Sequence, residues 1–98
     1  MAEKLSPEAH KAALDEMTKA GWAHDAGRDA LTKTFQFEDF VEAFGWMSQM
    51  AIRAEKLNHH PEWSNVYRTV EVLLTTHDVD GLSELDLKLA RAMDKAAG

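Results

Sequence analysis

The 98-residue sequence has no cysteine. Disulfides, thiolate nucleophiles, Cys-ligated zinc and iron–sulfur clusters are therefore excluded. No apolar run approaches the ~18 residues of a membrane-spanning helix, so no membrane partner is expected. The opening Met1-Ala2-Glu3-Lys4-Leu5-Ser6-Pro7 lacks the basic and apolar regions of a secretory signal, and the chain reads as cytoplasmic. There is no basic excess: 11 Lys+Arg stand against 17 Asp+Glu, a formal charge of −6. Such a surface repels phosphate backbones, so direct nucleic-acid binding is not expected. No repeat, low-complexity tract or linker interrupts the chain. Its length suits one domain over residues 1–98, since domains typically run to ~100–150 residues. With 45% hydrophobic and 29% charged residues, the composition is that of a folded globular domain.

What is present is a change of period along the chain. Ser6-Pro7-Glu8 reads as a helix start, with Ser as N-cap, Pro in the first turn and an acid beside it. Ala9, Ala13, Met17 and Ala20 continue at helical spacing until Gly21. Residues 22–37 read as a β-hairpin around the turn Asp25-Ala26-Gly27-Arg28-Asp29. Leu31, Phe35 and Phe37 share one face of its second strand, and Lys33 is the exception. From Glu38 the period returns to helical, with Phe40, Phe44, Met47, Ala51 and Ala54 as the expected buried stripe. Pro61 must end that helix. Residues 64–76 read as two strands with a corner near Arg68-Thr69, or as one strongly bent strand, placing Val66, Val70, Val72 and Leu74 on one face. A last helix starts at Ser83, with Asp86 as capping-box partner and Leu82 and Leu87 as a staple. Its expected apolar face is Leu85, Leu89, Ala92, Met93 and Ala96.

The order is α-ββ-α-ββ-α, an α+β class. An antiparallel sheet with helices on one face is the natural arrangement. The open sheet face, the strand edges and the Leu and Met residues of the last helix suggest self-association.

Five histidines are available for chemistry. His10 and His24 read as surface residues. His59, His60 and His77 sit in loops at strand ends, and an antiparallel pair over 64–76 brings His77 back towards the His59-His60 pair. The loop around Pro61 is equally readable as a polar connector. A three-histidine metal site is disfavoured, because adjacent histidines point their rings apart. Acid–base catalysis is the remaining option, since imidazole titrates near ~6.5 and can both donate and accept a proton at neutral pH. Trp46 and Trp63 read as core first, with Trp63 the better ligand platform of the two. Glu55, one turn before the histidine pair, reads as a solvated charge or as a group that orients an imidazole.

The stretch Ala54-Glu55-Lys56-Leu57-Asn58-His59-His60-Pro61-Glu62-Trp63-Ser64-Asn65-Val66-Tyr67 strongly resembles the pterin-4a-carbinolamine dehydratase family. So do Thr75-Thr76-His77, Gly81-Leu82-Ser83 with Asp86, Phe35-x-Phe37-x-Asp39-Phe40, and Phe44-Gly45-Trp46-Met47. The resemblance implies a two-layer α/β sandwich with a four-stranded antiparallel sheet and helices on one side. It implies the dehydration of a 4a-hydroxy-tetrahydropterin to quinonoid dihydropterin, which serves tetrahydropterin recycling after aromatic amino-acid hydroxylation. Carried over residue by residue, the catalytic histidines are His59, His60 and His77. Glu55, Asn58, Pro61, Trp63, Thr76 and Asp78 are the residues expected around the substrate. Asn58 and Leu85 depart from animal members, which carry Asp and Arg there. The reaction needs no metal and no organic cofactor, the pterin being the substrate. The resemblance also implies a homodimer or homotetramer and a functional link to an aromatic amino-acid hydroxylase. The alternative reading is a protein-binding module, because animal relatives also act as dimerisation cofactors of a homeodomain transcription factor.

Overall fold

The computed structural model describes residues 2–98. The elements are α1 (Pro7–Lys19), β1 (Ala23–Asp25), β2 (Ala30–Gln36), α2 (Phe40–Leu57), β3 (Glu62–Val66), β4 (Thr69–Leu74), a 3-10 turn (His77–Val79) and α3 (Glu84–Ala97). The strands form one antiparallel sheet in the order β1-β2-β4-β3. This is the α-ββ-α-ββ-α, α+β arrangement expected from the sequence.

Local chemistry sets the helix ends. Ser6 accepts a hydrogen bond from the Ala9 N–H at 3.2 Å, and Gly21, at φ 96°, leads the chain away from α1. Asp39 caps α2 by accepting from the Glu42 N–H at 2.8 Å. At the other end Asn58 takes the left-handed conformation, φ 51° and ψ 43°. The His59 N–H then reaches back to the Ala54 carbonyl at 3.0 Å. That is a Schellman-type stop, and asparagine is the residue after glycine that most readily adopts it. The capping box of α3 forms as expected between Ser83 and Asp86.

The core lies between the sheet and the helices. Leu31, Phe35, Val70, Val72 and Leu74 meet Trp22, Trp46, Met50, Leu89 and Met93 there. Both buried indoles satisfy their N–H groups, Trp22 on Asp94 Oδ2 at 2.9 Å and Trp46 on the Met93 carbonyl at 3.2 Å. Lys33, the exception in the β2 pattern, sits above the Trp22 and Phe35 rings and places its ammonium on Asp94 at 2.7 Å. A long side chain thus covers apolar surface while its charge finds a partner at the rim.

The buried faces of two helices differ from the expectation. In α2 the inward stripe is Ala43, Trp46, Met50 and Ala54, while Phe40 and Phe44 are about half exposed at 46% and 55%. Both stripes have helical spacing, one position apart, and the Trp46 indole takes the core. In α3 Leu87, Leu89, Ala90 and Met93 are buried, Leu85 and Ala92 are half-buried and Ala96 is exposed. The corner between β3 and β4 is Tyr67-Arg68, because Val66 pairs with Thr69. That register puts Trp63 and Asn65 opposite Val72 and Val70 and turns Val66 out to solvent. On the other side of the sheet Thr32, Ser64 and Glu71 are polar, and Leu73 is half-buried.

Candidate active site

Two connections and the N-terminal segment line an open cavity of about 960 Å³. The α2–β3 loop contributes Asn58, His59 and His60, the β4–α3 connection contributes Thr76, His77, Asp78 and Ser83, and the first turn of α3 contributes Leu85. Residues 2–6 complete the lining: Lys4 bridges to Ser83 and the Leu5 N–H bonds to the Leu82 carbonyl at 3.2 Å. The volume is at the upper end of the ~300–1,000 Å³ usual for small-molecule sites.

The three candidate histidines occupy unlike surroundings within it. His59 is buried, 8% exposed, and its Nε2 lies 2.5 Å from Oδ1 of the fully buried Asp86. The second carboxylate oxygen of Asp86 accepts from the Thr76 hydroxyl at 2.7 Å and from the Ser83 N–H at 3.0 Å. Thr76 and Ser83 hydroxyls are 2.6 Å apart, and the Leu85 N–H points to Ser83 Oγ at 3.3 Å. All these partners can donate. With the Thr76 proton given to Asp86, Ser83 donates to Thr76 and takes the Leu85 N–H, so each hydrogen runs towards the carboxylate. Asp86 also accepts the proton on His59 Nε2, leaving Nδ1 as the ring's acceptor nitrogen.

His60 and His77 stand at the rim, exposed. His60 Nε2 meets Glu55 Oε1 at 2.8 Å. His77 Nε2 meets Glu62 Oε2 at 3.0 Å, and Arg28 clamps the same carboxylate with contacts of 2.9 and 2.7 Å. The Arg28 hydrogen bonds, helped by that of His77, hold the Glu62 carboxyl down at about 2.

The remaining candidates fall on both sides of the cavity wall. Asn58, Thr76 and Asp78 line it. Glu55 is outside, behind His60. Pro61 and Trp63 are half-buried and outside the lining, with the Trp63 ring centred 6.3 Å from that of Trp46. On β3, Trp63 faces the core side of the sheet, which draws its ring towards Trp46. The sequence assigned Asp86 only a capping role. It missed that the other oxygen of the same carboxylate reaches His59. The N-terminal segment was missed entirely, having neither period nor motif. Glu62 carried a signal, its place within the histidine motif, but nothing pointed to Arg28.

Of the two histidines read as surface residues, His24 is exposed and His10 half-buried, and both converge on Asp29. Each Nε2 is 2.7 Å from Asp29 Oδ1. This cluster lies outside the cavity. No helix among the described residues is long and apolar enough to cross a membrane.

Comparison with known proteins places this geometry in a family. The profile described as "Pterin 4 alpha carbinolamine dehydratase" matches residues 3–96. A protein of Roseobacter denitrificans named as a candidate pterin-4-alpha-carbinolamine dehydratase is 61% identical over 98 residues, covering 100% of both chains. A protein of the same name from Ruegeria pomeroyi is 63% identical over 94 residues, 96% of this chain and 97% of its own. Among solved structures, one described as a transcriptional coactivator/pterin dehydratase from Brucella melitensis superposes with a TM-score of 0.89 at 47% identity, over 98% of this chain and 100% of that one. A pterin dehydratase-like protein described as a RuBisCO assembly factor of the alpha-carboxysome shares the fold, with a TM-score of 0.69 at 22% identity over 79% of this chain and 89% of its own. With nearly its whole length matched and the histidine loops facing one cavity, the chain belongs to the pterin-4a-carbinolamine dehydratase family.

Proposed function

We propose that the chain removes water from a 4a-hydroxy-tetrahydropterin in the cavity beside His59, giving quinonoid dihydropterin. This is a hydro-lyase reaction. The C4a–O bond breaks, the N5–H proton leaves, and a C4a=N5 double bond forms. One proton must reach the departing hydroxyl and one must leave N5, so imidazoles suffice and no metal or organic cofactor is required. The observation that carries this reading is the buried His59–Asp86–Thr76–Ser83 network behind two solvated histidines.

His59 is the base of this scheme. Asp86 fixes the proton on Nε2 and leaves the Nδ1 lone pair for the N5 proton. Asp86 acts through His59 and is a positioning residue. His77 and His60 exchange protons with water and deliver one to the leaving hydroxyl, with Glu62 and Glu55 orienting their rings. Asn58, Thr76 and Asp78 offer polar contacts to the pterin edge, and Leu85 an apolar one. Pro61 and Trp63 act from behind by fixing the start of β3.

The substrate is what a pterin-dependent aromatic amino-acid hydroxylase leaves behind, which makes such an enzyme in the same cytoplasm the proposed supplier. Residues 1–98 act as one domain, and the exposed α2 side chains Phe40, Val41, Phe44 and Ile52 favour a homodimer or homotetramer. The deciding assay generates the 4a-hydroxy adduct enzymatically and follows its loss. Acceleration over the unaided dehydration, lost in His59→Ala with the fold intact, is expected. A wild-type rate no faster than the unaided one rejects the proposal and favours the binding-module reading.

A further inference from the structure

The sequence supplies a second histidine cluster that the dehydration scheme leaves unused. His10 comes from α1, His24 from β1 and Asp29 from the end of the β1–β2 turn. Their ligand atoms all lie within 4.8 Å of one another. None of the three lines the cavity that holds His59. The two imidazoles approach edge to face, with ring centroids 5.5 Å apart and planes at 78°. Both aim Nε2 at one oxygen, Asp29 Oδ1, from 2.7 Å.

Asp29 is held in place for this. Its backbone is left-handed, at φ 50°, which is uncommon for a residue other than glycine. Its carbonyl accepts from Thr75 Oγ1 at 3.1 Å, and its Oδ2 accepts from the Leu82 N–H at 3.2 Å. Gly81 makes the close approach possible, because a Cβ there would collide with Asp29 Oδ2. One carboxylate oxygen is thus fixed by the body of the protein and the other is turned to the two histidines. Metal-ligating carboxylates are commonly oriented by hydrogen bonds of this kind. Burial pushes the Asp29 carboxyl up, but the hydrogen bonds from His10, His24 and Leu82 outweigh it and hold the group at about 2.

We propose that His10, His24 and Asp29 bind a divalent first-row cation, with zinc as the best fit. Two imidazoles and one carboxylate are a donor set suited to zinc. The side chains are 27%, 25% and 20% exposed, which leaves an open side for a water as fourth ligand. Zinc bonds of ~2.0–2.1 Å place tetrahedral donors roughly 3.3 Å apart, so entry of the ion opens each Nε2–Oδ1 contact by about 0.6 Å. A neutral imidazole carries one ring proton. Without the ion that proton sits on Nε2, which donates to Asp29 Oδ1; zinc binding moves it through solvent to Nδ1 and frees the Nε2 lone pair for the metal, with no group oxidised or reduced. The bound ion clips α1 to the β1–β2 hairpin. Through Asp29 and Leu82, the clip extends to the connection leading into α3.

The test uses the untagged full chain, stripped with chelator, dialysed and titrated with zinc chloride. Calorimetry and thermal unfolding are read together. One zinc per chain is expected, with the unfolding midpoint raised by about 10 °C or more once free zinc exceeds its dissociation constant ~100-fold. His24→Ala should weaken binding on the order of 100-fold and abolish the thermal shift. A His59→Ala/His77→Ala double variant should keep both, because those residues belong to the other cavity. Absence of heat and of a thermal shift in the wild type overturns the proposal. So does zinc binding that survives His24→Ala, or that disappears in the double variant.

Discussion

Two kinds of imidazole–carboxylate pair face the same cavity. Asp86 is fully buried and His59 nearly so, and both oxygens of the carboxylate are hydrogen-bonded. His60 with Glu55 and His77 with Glu62 stand in solvent, with side-chain exposures of 60% and 80% in the first pair and 72% and 45% in the second. An exposed ion pair contributes ~0–1 kcal/mol, since water and salt screen it. A buried network contributes little relative to an apolar replacement, yet removing its central acceptor costs ~1–3 kcal/mol for each buried donor left without a partner. The comparison separates two tasks. The buried pair holds one ring in one tautomer, whereas the open pairs trade protons with the medium.

The largest effect that could break this contrast is Asp86→Ala. It strips the acceptor from His59, Thr76 and the Ser83 N–H together, and should destabilise the fold by ~3 kcal/mol or more in urea unfolding, at ~1–3 kcal/mol per orphaned donor. A loss under about 1 kcal/mol would mean the network does not matter to stability. Next comes catalysis. His59→Ala should slow dehydration of the adduct by ~10²–10⁴, the usual worth of a general base, and His77→Ala by at least about 10-fold. Equal, small losses in both would erase the division of labour between buried and open rings.

Assembly sharpens the contrast differently, since it asks which surface water leaves. Light scattering should give a mass above the 11.0 kDa of one chain, and Phe44→Glu should lower it. A single-chain mass in the wild type at micromolar concentration refutes the oligomer.

The smallest effect is at Glu62. Its folded carboxyl is held below the ordinary 4.5, at about 2, by Arg28 and then His77. A depressed carboxyl contributes stability that is present above its unfolded value and lost as pH falls through the folded one. Glu62→Gln should therefore cost at most about 1 kcal/mol near neutrality. It should also slightly flatten the decline in stability between pH 4.5 and 2. A steeper decline in the variant would contradict the sign.

The histidine motif and the element order are legible in the sequence, and their reasons are local. Ser6, Asp39 and the Ser83–Asp86 box act within three or four residues of chain. Asn58 stops α2 by a left-handed turn that its own side chain tolerates. The α2 face was misread because two apolar stripes lie one position apart, and periodicity gives both the same score. Trp63 was assigned to the cavity by resemblance, but strand parity turns it towards Trp46.

The sequence by itself determined the order of helices and strands, the caps of the helices, the loops that carry His59, His60 and His77, and the family to which they point. Those features depend on neighbours in the chain. Only the tertiary structure decided which stripe of α2 is buried and that residues 2–6 wall the cavity. It also brought Asp86 to His59, 27 positions apart, and His10 to Asp29, 19 apart. The reason is physical: a hydrophobic or polar pattern states that a side chain wants a partner, but the partner is chosen by how the layers pack.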